Sequence, residues 1–191
     1  MAIEQYQLVP GKLYDLNDLS SLGADLVPSD SWKKLSICSR EWAFYGPWRT
    51  GYQGGVFFSV RALGLSDPNS AINFLYPTAL ETDIHGFMTS YLGHAVYDKG
   101  MLASYYKGPV NWVPVTTLPV PAVQFDIEER YTSESRDRYA SFPVAKNKLL
   151  SICFNYRQNC VGRQEKKDSR ISPKPMLDLI ENVTSSIRLI P

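Results

Sequence analysis

A run of regularly spaced apolar residues between Thr78 and Gly93 is the clearest pattern in the chain. The spacing places these residues on one face of an α-helix. They are Leu80, Ile84, Phe87, Met88, Tyr91 and Leu92. Thr78 and Glu81 fit a capping box at the helix start, and Gly93 suits the left-handed conformation that ends a helix. The pattern predicts a helix over 79–92 that covers part of a sheet.

A second helical pattern follows Pro173, near the end of the sequence. Its apolar stripe is formed by Met176, Leu179, Ile180 and Val183. Asp178 and Glu181 lie in the early turns, where negative charge suits the helix dipole. We expect this helix to span 174–186.

Alternating apolar and polar residues predict strands elsewhere. In 123–131, for example, Val123, Phe125 and Ile127 fall on one face of the strand. The predicted strands are 33–39, 56–65, 94–98, 101–107, 123–131, 139–144 and 147–157, and 132–138 is predicted to be a polar turn. Prolines restrict the extended segment 111–118 to a sheet edge or a loop.

These elements place the chain in the α+β class as a single domain over 1–191. We expect a mostly antiparallel sheet of about six to eight strands, covered by two main helices, 79–92 and 174–186. Residues 1–31 are predicted to form an irregular lead-in. The segment 158–172 is predicted to be a mobile basic loop.

Composition and charge narrow the classes of function. The 191 residues are 44% hydrophobic and 20% charged, and the net charge of +1 provides no overall field that would attract nucleic acid or an anionic membrane. No apolar run approaches the roughly 18 residues that a membrane span needs. The segment 157–174 does carry six basic and two acidic residues. A nucleic-acid contact there would require strongly salt-dependent affinity, whereas a solvated loop is the simpler interpretation.

Three cysteines, Cys38, Cys153 and Cys160, do not form an even disulfide framework. Cys38 and Cys153 lie in predicted strands and could face one another, but two separate, buried, small apolar residues are the simpler interpretation. This usage favours a reducing compartment such as the cytoplasm. The first residues lack the basic and then apolar pattern of a signal peptide. A periplasmic protein whose signal segment had been removed would lack this pattern as well.

In two places a predicted strand is followed by a predicted helix: VFFSVRALGL by TALETDIHGFMTSYLG, and NKLLSICFNYR by PMLDLIENVTSSIRLI. The order of these elements resembles that of the PsbP/DcrB-like α+β sandwich. The resemblance is one of topology over about 50–190, and the segments 40–55 and 114–121 have no place in it. It implies a binding, assembly or chaperone-like module rather than an enzyme, although a fold does not define a function.

No common catalytic or nucleotide-binding motif is present: there is no G-x-S-x-G, Walker loop, G-x-G-x-x-G or H-E-x-x-H. Glu81 and His85 have the spacing of two ligands on one helix face, but no third ligand accompanies them. We therefore expect neither a metal nor a cofactor. Asp126 and Glu128 share one face of a predicted strand, but the solvated face of an antiparallel sheet is charged in any case.

The segment 40–55 combines aromatic residues with Gly and Pro, which predicts a turn or a long hairpin connection rather than regular structure. Its candidate binding residues are Trp42, Tyr45, Trp48, Arg49 and Tyr52. Exposed Trp, Tyr and Arg side chains are common anchors of protein interfaces. Alternatively, the segment folds inward and its rings seal one end of the sheet.

We therefore expect a non-enzymatic module that binds another protein, in an accessory, secretion-related or toxin-neutralising (immunity-type) role. The sequence defines neither the partner nor the oligomeric state. The alternative is a carbohydrate-binding module or a glycan-acting enzyme. In that case Trp42, Trp48 and Trp112 would be the stacking platforms, with Asp126 or Glu128 as the acid.

Overall fold

A computed structural model describes residues 19, 25–26, 31–67, 70–92, 96–98, 101–103, 106–129, 135–160, 162 and 164–188. The strands are β1 (Asp25–Leu26), β2 (Trp32–Tyr45), β3 (Tyr52–Leu65), β4 (Val96–Asp98), β5 (Met101–Ala103), β6 (Tyr106–Pro114), β7 (Val123–Glu129), β8 (Ser135–Ala145) and β9 (Lys148–Gln158). The helices are α1 (Pro77–Leu92), α2 (Gln164–Arg170) and α3 (Lys174–Ser186).

The main sheet has seven strands in the order β1-β2-β3-β9-β8-β7-β6. Every neighbouring pair is antiparallel. Since β1 has only two residues, six strands are long. β4 and β5 form a separate antiparallel pair. The prediction of an α+β fold built on one antiparallel sheet is confirmed, and the proline-bearing strand β6 lies at the sheet edge as expected.

α1 and α3 pack on opposite faces of this sheet. Neighbouring residues of a strand point to opposite faces, so the two helices contact different residues of the same strand. In β9, Leu149 and Cys153 belong to the apolar cluster of α1, whereas Ile152 and Phe154 belong to the cluster of α3. The α1 cluster includes Leu80, Ile84, Phe87 and Met88 of the helix with Leu63, Phe125 and Tyr139 of the strands. Full burial of such side chains contributes roughly 1.5–3 kcal/mol each.

The predicted bounds of α1 and α3 agree with the structure to within two residues. α1 begins at Pro77, so Thr78 lies inside its first turn rather than at the predicted capping position. Proline suits the first helical position, where its missing N–H costs no hydrogen bond. The expectation of two covering helices is met only in part, since the structure contains a third helix, α2.

α2 lies inside the segment that was predicted to be a mobile loop, 158–172, and this prediction is wrong for 164–170. The helix has few apolar residues, so it lacks the periodic stripe that identifies a helix in a sequence. A buried side chain holds the segment: Gln158 Nε2 donates hydrogen bonds to Asp168 Oδ1 (2.9 Å) and to the carbonyl oxygen of Ile171 (2.5 Å).

β2 and β3 are each 14 residues long, and they extend into the segment 40–55 that was predicted to be irregular. Gly54 explains the difference. Its φ is +153°, and a Cβ atom at this position would collide with the carbonyl oxygen of Arg157 on β9. Glycine is therefore required inside the strand by the close approach of β9, although in a sequence it indicates a turn.

Two smaller expectations are settled, and a third falls almost entirely outside the described residues. β8 begins at Ser135, so the predicted polar turn over 132–138 is wrong in its second half. The lead-in 1–31 lies outside the described residues except for Leu19, β1 and Ser31. All three cysteines are free, with Cys153 buried as predicted and Cys38 exposed, contrary to the prediction. No helix in the described ranges is long and apolar enough to cross a membrane.

Candidate functional site

The turn between β2 and β3 is closed by its own hydrogen bonds. The backbone N–H of Gly46 donates to the carbonyl oxygen of Gly51 at 3.1 Å. Thr50 donates twice to the carbonyl oxygen of Pro47, from its backbone N–H at 3.1 Å and from its hydroxyl at 2.6 Å. We call residues 45–52 the aromatic hairpin tip.

Trp48 is the most exposed large apolar side chain in the described residues. It is 97% exposed, and its backbone lies in the left-handed region, with φ 58° and ψ 25°. This conformation costs an L-residue roughly 1–2 kcal/mol, and Gly or Asn adopts it more readily. Neither packing nor backbone preference therefore explains a tryptophan here.

The other predicted binding residues differ in exposure. Tyr45 is 57% exposed, and its ring lies edge-on to that of Tyr52 at 5.9 Å. Trp42 is half-buried, and its ring lies edge-on to that of Phe58 at 6.0 Å. The Arg49 side chain lies outside the described part of the chain. The structure thus presents Trp48 and Tyr45 to solvent, whereas Trp42 packs on the sheet.

The outer edge of β2 leads directly to this tip. β1 pairs only with Lys33 and Lys34, so within the described ranges no strand pairs with the outer edge of β2 from Leu35 to Tyr45. A long free strand edge presents unpaired backbone N–H and C=O groups that can bind another strand. The edge and the tip therefore form one continuous surface.

The basic residues predicted to lie in one loop differ in their exposure. Lys167 is 5% exposed, whereas Lys166 and Arg170 are exposed on the short helix α2. Arg157 is exposed on β9, and the Arg163 side chain lies outside the described part of the chain.

The carboxylates considered for acid–base chemistry have structural partners where the structure describes them. Arg138 Nε lies 2.7 Å from Asp126 Oδ1, and Asn111 Nδ2 lies 3.1 Å from Asp126 Oδ2. The Glu128 side chain is outside the described part of the chain. His85 and Glu81 are exposed on α1, and among the described residues no group of three or more His, Cys, Asp or Glu side chains could hold a metal ion.

A cavity that the sequence does not predict lies on the α1 face of the sheet. Its volume is about 280 Å³, and residues of α1, β3, β8 and β9 line it. They are Phe57, Arg61, Tyr91, Leu92, Asp137, Tyr139, Cys153 and Asn155. Aromatic walls with a few convergent polar groups are typical of small-molecule sites. We call this cavity the α1 pocket.

Burial changes the acid–base behaviour of the groups in the α1 pocket. It raises the pKa of Asp137, although the hydrogen bond from Asn155 and the positive charge of Arg61 act in the opposite direction. It also raises the pKa of the Cys153 thiol to about 11, so this cysteine is protonated near neutral pH and is not a nucleophile.

Sequence reasoning missed the α1 pocket because its polar residues come from separate strands. One local signal was present: Arg61 occupies the same strand face as the buried Leu63, where the β3 pattern calls for an apolar residue. A charged residue at such a position needs a partner or access to water.

Comparison with known proteins gives no family assignment: no protein-family model, curated protein or solved structure matches this chain.

Proposed function

We propose that this protein is a non-enzymatic binding module that contacts another protein through the aromatic hairpin tip and the adjoining edge of β2. The observation that carries the proposal is Trp48, which is 97% exposed on a hydrogen-bonded turn in a backbone conformation unfavourable for it. Tryptophan and tyrosine are enriched among the residues that dominate binding energy at protein interfaces.

In the described part of the chain, no strand pairs with the outer edge of β2 beyond Lys34, and this edge suggests the form of the partner. An extended segment can add a strand to a free edge, with main-chain hydrogen bonds providing affinity and side-chain contacts providing specificity. Tyr45 and Trp48 lie at the tip end of this edge, where they can contact the same segment. Binding of this kind requires no metal or cofactor.

The carbohydrate alternative has weaker support. Trp112 packs on Phe125 with ring centres 4.7 Å apart, and Trp42 packs on Phe58. Of the three tryptophans named as stacking platforms, only Trp48 is fully open to a sugar ring. The PsbP/DcrB-like topology and the accessory, secretion-related or immunity-type roles also remain proposals, and the binding surface proposed here does not depend on them.

Affinity capture from a lysate of the source organism tests the proposal, using the wild type, Trp48→Ala and a control, Tyr76→Ala. Tyr76 is 64% exposed, and it lies at the opposite end of the sheet. β9 connects the two ends. Near its start, the backbone N–H of Phe74, two residues before Tyr76, donates to the carbonyl oxygen of Lys146. Just after its end, the backbone N–H of Asn159 donates to the carbonyl oxygen of Gln53, which lies beside the tip.

We expect one stoichiometric protein partner that Tyr76→Ala retains and Trp48→Ala loses. Binding should also protect Cys38, which is exposed on β2, from alkylation. Capture of the same proteins by both variants, or of none by the wild type, would contradict the proposal.

A further inference from the structure

The α1 pocket holds two opposite charges that do not pair with each other. Arg61 of β3 and Asp137 of β8 both line the pocket, yet no ion pair of 4.0 Å or less joins them. In the sheet these strands are separated by β9. Both side chains are half-buried, so each charge is partly removed from water without a direct contact between the two, and a ligand could supply the missing contacts.

An aromatic ring positions the Arg61 guanidinium. Its central carbon lies 6.0 Å from the centre of the Tyr91 ring, which is stacked on Phe87 at 5.5 Å. Lys34 Nζ lies 4.9 Å from the centre of the same ring and 3.4 Å from the Tyr91 hydroxyl. Two cations therefore meet at Tyr91, and this side of the pocket favours an anion.

Among the described residues, the Asp137 carboxylate has a hydrogen-bond partner on only one of its two oxygens. Its Oδ1 accepts a hydrogen bond of 2.5 Å from Asn155 Nδ2, whereas no described residue donates a hydrogen bond to Oδ2. Arg61 and Asp137 both line the pocket and are only half-buried. A donor group on a ligand could bind to Oδ2.

We propose that the α1 pocket binds a small carboxylic acid that also carries an amino or hydroxyl group. The ligand carboxylate would bind Arg61, whose guanidinium matches a carboxylate with two parallel hydrogen bonds. The donor group would bind Asp137, and the apolar part would lie against Phe57 and Tyr139.

The size of the pocket sets the size of this ligand. A volume of about 280 Å³ equals that of roughly nine water molecules in the liquid. Compounds with a similar number of non-hydrogen atoms, such as leucine or 4-aminobenzoate, are therefore suitable probes, whereas a dinucleotide is far too large.

The experiment is a binding screen on the full chain by thermal shift and by amide chemical shifts in NMR. The probes are γ-aminobutyrate, L-leucine, 4-aminobenzoate and 4-hydroxybenzoate, and the matched acids without a donor are butyrate, 4-methylpentanoate and benzoate. We expect at least one donor-bearing acid to raise Tm and to bind at least tenfold more tightly than its matched acid. Its amide shifts should centre on Arg61, Leu92 and Asn155.

Three variants assign the contacts for whichever probe binds. Arg61→Gln should weaken binding at least tenfold. Asp137→Asn should remove most of the preference for a donor-bearing acid. The control, Arg40→Gln, changes an exposed arginine on the other face of the sheet and should alter neither the affinity nor this preference. Shift mapping on the wild type gives an answer even if Arg61→Gln fails to fold.

The proposal is overturned if no probe binds the wild type at 10 mM. It is also overturned if the shifts centre away from the pocket, or if a folded Arg61→Gln variant binds as tightly as Arg40→Gln. The proposed protein contact at the tip does not depend on any of these outcomes.

Discussion

Asp137 on β8 and Asn155 on β9 are register partners, and the Asn155 amide donates a hydrogen bond of 2.5 Å to the Asp137 carboxylate. This bond does not fully compensate for burial, because the pKa of Asp137 remains above its ordinary value of 3.8. The folded protein therefore binds the Asp137 proton more tightly than the unfolded chain does. As the pH rises through the ordinary pKa and then the folded pKa, this carboxylate lowers the free energy of unfolding.

Asp137→Asn should accordingly raise stability at pH 7, because asparagine fills the same space without placing a charge at this half-buried position. The gain in Tm should shrink as the pH falls and should vanish below about pH 3, where aspartate is protonated in both states. Thermal unfolding of the two proteins between pH 3 and pH 7 measures this. A destabilised variant at pH 7 would indicate that Asp137 is a structural residue. If the variant is more stable but no longer binds the ligand, Asp137 is a binding residue that lowers the stability of the wild type.

Cys153 should be unreactive in the folded protein. Burial raises the pKa of its thiol to about 11, from an ordinary value of 9.0. At pH 8 we expect iodoacetamide to label exposed Cys38, and to label Cys153 only after unfolding in urea, as read by mass spectrometry of peptides. Labelling of Cys153 at a rate comparable to that of Cys38 in the native protein would contradict its placement in the core.

The same thiol predicts a loss of stability in alkali. The folded chain keeps the Cys153 proton between about pH 9 and pH 11, whereas the unfolded chain loses it, so stability falls as the pH rises through this window. Cys153→Ala should be less stable than the wild type at pH 7 because it leaves a small cavity, but its stability should fall less steeply above pH 9. Equal slopes would exclude this role for Cys153.

Gly54 and Gly51 should respond differently to substitution by alanine. Gly54→Ala should lower the free energy of unfolding for two reasons. The backbone conformation is unfavourable for alanine, which costs about 1–3 kcal/mol, and the new Cβ would clash with the Arg157 carbonyl, which costs roughly another 1–3 kcal/mol. Gly51 also has a positive φ, +73°, but its Cβ would meet open space, so Gly51→Ala should cost only about 1–2 kcal/mol. Urea unfolding compares the two, and equal losses would contradict the close approach of β3 and β9.

Trp48→Asn should leave the free energy of unfolding unchanged or raise it by up to about 1 kcal/mol, since asparagine tolerates the left-handed backbone and the lost side chain is exposed. The matched control is Trp32→Ala, because Trp32 is 5% exposed and stacks on Phe74 at 5.6 Å. Removal of this buried indole should cost about 3–5 kcal/mol. If Trp48→Asn loses more than about 1 kcal/mol, the indole contributes to the fold and the reason to assign it a binding role disappears.

Features that depend on a short stretch of sequence were predictable. α1 was predicted because Leu80, Ile84, Phe87 and Met88 give its period within one segment, and each of them is buried in the structure. The inward positions of β7 were predicted for the same reason, with Phe125 fully buried.

Features that depend on contacts between distant segments were not predictable. In the sequence, Gly54 indicates a turn that would end the strand, but the structure requires a glycine there because β9 passes close to β3. The α1 pocket depends on the insertion of β9 between β3 and β8, which brings Arg61 and Asp137 to one cavity. For the tip, the sequence identified the aromatic residues but not their exposure, and only the structure separates exposed Trp48 from packed Trp42.

The most direct test of the central claim, that Trp48 contacts another protein, is photo-crosslinking in cells of the source organism. A benzophenone amino acid replaces Trp48 in one variant and Tyr76 in a second variant, and the two positions lie at opposite ends of the sheet. We predict one adduct of defined mass from position 48 and none of that mass from position 76. No adduct from position 48, or the same adduct from both positions, would contradict the account.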